Sequence, residues 1–171
     1  NFWDTMRTDL NGLPYYMNHQ VWTNGHNDSR GIGGDQVAMA ISSWSLLYAY
    51  TGNERIKDNI LFMADYYLSH SLSSSTCIWK NLPYPYNILV YSGNYDGDMI
   101  AGKGVVQPDK AGSFGAELVN VYKMTGKKAY LDAAIEIANT LSEQMITGDN
   151  DKSPLPFRVN AITGKVASKN E

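Results

Sequence analysis

A chain of 171 residues, 43% hydrophobic and 18% charged, has the size and composition of one globular domain able to bury a real core. Its net charge of -3 leaves no basic footprint for nucleic acid, and no run of about 18 apolar residues exists to span a membrane. Cys77 is the only cysteine, which excludes a disulfide framework and a cysteine-based zinc site.

The chain opens on Asn1-Phe2-Trp3-Asp4, with neither an initiator Met nor a signal peptide, so the native N-terminus is expected to be absent. A polar-aromatic lead-in runs to Leu10. Leu13-Pro14-Tyr15-Tyr16-Met17-Asn18 then sets a pattern, Leu-Pro-aromatic-x-x-Asn, followed by the turn Thr23-Asn24-Gly25. Proline keeps the leucine before it extended, and the glycine turn suits a short β-hairpin. The polar loop His26 to Arg30 leads into the first helix.

From Asp35 the residues change character. Val37, Ile41, Trp44, Leu47 and Tyr48 make one face, and Ala38, Ser42, Ser45 and Ala49 cover much of the rest. A helix without a charged face is expected to be packed on both sides. Gly52 stops it and Asn53 caps the next. Ile56, Ile60, Met63, Ala64, Tyr67 and Leu68 then form a one-sided stripe, the mark of an outer helix that turns Lys57 and Asp58 to water.

The plan returns. Leu82-Pro83-Tyr84-Pro85-Tyr86-Asn87 repeats the loop motif before Ser92-Gly93, and Gln107 to Met145 repeats the helix pair. With a shift of about 74 residues, Asp35 falls on Asp109, Tyr48 on Tyr122, Thr51 on Thr125, Gly52 on Gly126 and Asp58 on Asp132. Leu155-Pro156-Phe157-Arg158-Val159-Asn160, with Thr163-Gly164, is a third loop copy. Self-similarity at a fixed period marks units that bury their apolar faces only against neighbours. The expected fold is all-α: inner and outer helices paired at about 35–71 and 109–145, with small β-hairpins in the long loops at about 13–34, 73–108 and 146–171.

The signatures Tyr50-Thr51-Gly52-Asn53-Glu54-Arg55 and Tyr122-Lys123-Met124-Thr125-Gly126-Lys127-Lys128 resemble the six-hairpin glycosidase superfamily, whose fold is an α/α toroid. Its members include unsaturated glucuronyl hydrolases, related epimerases and the toroidal domains of polysaccharide lyases. The resemblance covers about 75 residues and implies a partial toroid, because a complete one needs about six hairpins. It also implies a carbohydrate-active enzyme, with a glycoside hydrolase acting on uronate-containing oligosaccharides as the leading reading. A lyase acting by β-elimination and a non-catalytic sugar-binding or scaffold module are the alternatives. The carbohydrate reading favours a periplasmic or secreted protein.

In that superfamily the starts of the inner helices and the loops before them line the cleft. This points to Asp35 and Asp109 as the acid/base pair that glycoside chemistry needs, one carboxyl protonated and the other ionised. An Asp before a helix is equally a favoured N-cap. Trp22, Trp79 and Tyr84 are candidates for stacking on a sugar, set against the plain alternative that loop aromatics pack in the core. Arg30, Lys110 and Arg158 could neutralise a uronate carboxylate, with His26 or Tyr84 as a lyase's base. Gln36 begins the inner helix beside Asp35. No zinc-protease, phosphate-loop or dinucleotide motif is present, and Asn94-Tyr95-Asp96-Gly97-Asp98 lacks the glycine and closing glutamate of an EF-hand. No metal and no cofactor is expected. The partners expected are an oligosaccharide or polysaccharide substrate and further hairpins of a parent chain or other copies of this one, with neither nucleic acid nor membrane.

Overall fold

The structure, a computed structural model, describes residues 34–88 and 94–167, with side chains from Gln36 onward. Helices α1 (Gly34–Thr51) and α2 (Glu54–Ser71) form one hairpin, and α3 (Pro108–Thr125) and α4 (Lys128–Gln144) form the second. Both turns obey the same local chemistry. Gly52 and Gly126 have φ of 64° and 70°, a left-handed backbone that only glycine adopts without penalty. Each closes its helix by donating its N–H four residues back, Gly52 to the Tyr48 carbonyl and Gly126 to the Tyr122 carbonyl, at 2.8 and 2.7 Å. Asn53 then caps α2, its side chain accepting the Arg55 N–H at 3.1 Å.

The core lies between the hairpins. Ile41, Ile60, Met63 and Tyr67 from the first meet Phe114, Leu118 and Ile137 from the second. The Tyr67 ring stands edge-on to Phe114 and to Tyr95, with centroids 4.8 and 4.9 Å apart, an arrangement aromatic quadrupoles favour. Inner helix α1 packs against α3, and each inner helix packs against its own outer partner. Glycine allows the closest approach: a Cβ on Gly115 would stand 3.2 Å from Ile137 Cγ2.

The inner helices are less enclosed than their composition predicts. In α1, Leu46 is 73% and Tyr50 89% exposed. Uncharged residues cover this helix all round, but among the described residues the side that holds Met39, Leu46 and Tyr50 is left exposed while the side that holds Val37 and Ile41 is buried. In α3 and α4 a corresponding groove, about 330 Å³, is lined by Gly112, Ala116, Val119, Leu131 and Ile135.

Short strands hold the loops together. β1 (Gly97–Asp98) pairs antiparallel with β2 (Gly102–Lys103) as a hairpin. β3 (Val105–Val106), just ahead of α3, pairs antiparallel with β4 (Val159–Asn160) in the next loop copy. Successive repeats are therefore stitched through their loops as well as through their helices. The third loop copy closes on itself, with Val159 bridging Val166 around Gly164 at φ 68°.

Candidate functional site

A two-residue turn makes each helix pair antiparallel, so both open ends of a hairpin face the same way. Helix α2 ends among the loops, where the Tyr95 N–H donates to the His70 carbonyl at 2.7 Å. Helix α3 begins there. Asp35 lies in α1 and Asp109 in α3, each at the same distance in sequence from the glycine that ends its helix, Gly52 or Gly126. The repeat thus puts the two aspartates at matching positions of neighbouring helices that open on the loop layer. Asp109 is not an N-cap. Gln107 holds that position for α3, without a side-chain cap bond, and Asp109 is an exposed acid of the first turn.

Asp98, noted in the sequence only as part of a segment that fails the EF-hand pattern, is the centre of this layer. It is 1% exposed. Its Oδ1 accepts the Ile100 and Ala101 N–H groups, each at 2.7 Å. Its Oδ2 accepts from the Gln107 side-chain amide and lies 3.0 Å from Arg158 Nε. The Nε–H bond of Arg158 is turned off that line, so the contact is an ion pair more than an aligned hydrogen bond. Burial pushes the Asp98 carboxyl up, but the Ala101, Gln107, Ile100 and Arg158 donors together outweigh it and hold it below the ordinary value. One carboxylate thus ties the β1–β2 hairpin, the start of α3 and the next loop copy into one body. Gln107 is also 1% exposed, and its Oε1 takes no hydrogen bond among the described residues.

The sequence candidates fall into three groups. Lys110 and Arg158 lie at the inner-helix end with Asp109. Lys110 Nζ reaches the Tyr86 hydroxyl at 3.1 Å and stands 4.9 Å from that ring's centroid. Gln36 is half-buried in α1, next in sequence to Asp35. Trp79 and Tyr84 are placed otherwise. Trp79 is 4% exposed and belongs to the core, with its ring faces covered. Tyr84 is half-buried; its carbonyl accepts the Tyr67 hydroxyl at 2.8 Å, and its own hydroxyl is pushed up by burial first, then by Cys77 and Asp96. Trp22, His26 and Arg30 lie outside the described residues. No group of three or more His, Cys, Asp or Glu is arranged to hold a metal among the described residues. No helix among them is long and apolar enough to cross a membrane.

No family model and no curated protein matches the sequence. Solved structures do. The chain is similar to a sugar epimerase from a ruminal bacterium, with TM-score 0.67 and 14% identity over 99% of this chain and 40% of that one. It is similar to the cellobiose 2-epimerase of Spirochaeta thermophila, with TM-score 0.61 and 10% identity over 80% and 30% of the two chains. A family 76 glycoside hydrolase, a mannosidase from Bacteroides thetaiotaomicron, matches with TM-score 0.53 and 18% identity over 73% and 31%. At these identities the likeness is one of fold. The class is the α/α toroid of helical hairpins expected from the Thr-Gly turns. The chain spans 30 to 40% of the length of the structures it matches, so the fold here is partial.

Proposed function

We propose that this chain is part of a carbohydrate-active enzyme, a glycoside hydrolase for uronate-containing oligosaccharides, with its cleft at the loop end of the inner helices. The observation that carries the reading is the matched placement of Asp35 and Asp109, each at the same distance in sequence from the glycine that ends its inner helix, Gly52 or Gly126. The toroid fold shared with sugar-acting enzymes supports it by analogy. One carboxylic acid gives its proton to the oxygen of the leaving sugar. The other, ionised, either activates water or attacks the anomeric carbon, and water then completes the cleavage. Lys110 and Arg158 bring positive charge to the same end, where a uronate carboxylate needs it.

A second reading, sugar epimerisation, is favoured by the two higher TM-scores, both to epimerases.

Substitution tests the reading. Asp109→Asn and Asp35→Asn should each lower turnover by about 10²–10⁴-fold, the range for a lost acid or base. Because Asp109 is exposed and caps nothing, its variant should unfold at the wild-type denaturant concentration. Full turnover in either variant would contradict the assignment. Product mass separates the reactions: hydrolysis adds water across the bond, whereas epimerisation returns a sugar of unchanged mass.

A further inference from the structure

Arg158 is held on two sides. Its Nε lies 3.0 Å from Asp98 Oδ2, and its Cζ stands 4.5 Å from the centroid of the Phe157 ring. Its two terminal nitrogens take no partner among the described residues. Phe157 is 57% exposed and the Arg158 side chain 17%, so the pair stands at the edge of the surface with the arginine partly covered. A guanidinium carries five N–H donors in a rigid fork and keeps its charge at any working pH. With Nε set beside the Asp98 carboxylate as an ion pair, the far edge offers two parallel N–H groups, spaced to meet both oxygens of a carboxylate.

The surroundings single this cation out. Lys110 is engaged with Tyr86, and Lys103 pairs with Asp96 at 3.3 Å. Lysine is moreover a rotating point charge, whereas a pinned guanidinium loses little freedom when it binds. The charge on Asp98 is spent largely on its own partners, the Ile100 and Ala101 N–H groups and the Gln107 amide. It fixes the direction of Arg158 from behind, in the same body as the start of α3.

We propose that Arg158, stacked on Phe157 and aimed by Asp98 as its positioning residue, is a subsite for the carboxylate of a uronate sugar. This rests on the carbohydrate reading above and deepens it, by naming the group recognised and the residues that recognise it.

The test is a titration of the 171-residue chain with sodium D-glucuronate, following the side-chain N–H signals of Arg158 by NMR, assigned with Arg158→Lys. Neutral D-glucuronamide and sodium sulfate serve as comparisons. A saturable shift of the Arg158 signals is expected with glucuronate, with affinity at least about tenfold weaker for the amide and for sulfate. Equal affinity for the amide would overturn the charge-based assignment. Equal affinity for sulfate would mean a general oxyanion site, and would overturn the carboxylate assignment. No response to glucuronate would overturn the subsite altogether.

Asp98 has its own readout. In the unliganded wild type the two terminal nitrogens should give separate signals, because the pinned guanidinium rotates slowly, and Asp98→Asn should merge them. Merged signals in the wild type would overturn the positioning role even if the variant fails to fold. Separate signals kept in a folded variant would do the same. Failure of the subsite is distinct from failure of the catalytic reading: turnover of uronate substrates without an Arg158 response sinks the subsite alone. An Arg158 response without turnover sinks the hydrolase.

Discussion

Asp98 ties three loop segments together through one carboxylate, and its removal has consequences at both ends of the ion pair. Asp98→Ala would leave the Arg158 guanidinium, the Gln107 amide and two backbone N–H groups without their acceptor. Breaking a buried pair in this way costs about 3–5 kcal/mol, to be read as a lower midpoint in urea unfolding. The pH dependence has a fixed sign. Because the folded carboxyl is held below its ordinary value, its contribution is fully present above the unfolded pKa, about 3.9. It is lost as pH falls through the lower folded value. Unfolding midpoints should therefore drop from about pH 4 downward, and Asp98→Asn should flatten that drop; an unchanged slope would contradict Asp98 as its origin. The local part of this network, Asp98 accepting the Ile100 and Ala101 N–H groups, is an ordinary turn; its distant partners, Gln107 9 residues away and Arg158 in a different loop copy, have no local mark in the sequence. Trp79 shows the same gap from the other side. Its residue type fits a sugar platform, but its position under Ala161, which accepts the Trp79 N–H at 3.0 Å, makes it core.

Helices and turns were far more legible, because their determinants are local. The apolar period, the glycines at Gly52 and Gly126 and the cap at Asn53 all act within a few residues, and the four helices follow from them. Open space surrounds the Cβ position of Gly126, so Gly126→Ala tests backbone conformation alone. It should cost about 1–2 kcal/mol, seen as a lower melting temperature with no change in helix content by circular dichroism. A change below a few tenths would contradict the left-handed turn. Contacts between hairpins were not legible. The Tyr130 hydroxyl donates to Asp65 Oδ1 at 2.7 Å across 65 residues of sequence, and no short motif announces it. Tyr130→Phe should cost about 1.5–3 kcal/mol, the usual net worth of a bond to a charged acceptor, in the same unfolding assay. The open flank of α1 has the same origin: composition shows that a helix is uncharged all round, but not how many neighbours it has.

For the whole molecule, the repeat carried the architecture, and the comparisons agree with it as fold. What the repeat did not announce is the stitching of β3 to β4, by which one loop copy pairs with the next ahead of inner helix α3. That pairing and the Asp98 network join the start of α3 to the loops around it, and the proposed activity belongs at that end. The most direct test is the ultraviolet absorbance of unsaturated uronyl oligosaccharides, made by a lyase and incubated with the natural protein that carries this sequence. A fall in absorbance is predicted, as the terminal unsaturated sugar is released and its double bond is lost. A rise would mean that the protein itself creates double bonds by β-elimination, and would contradict hydrolysis at Asp35 and Asp109.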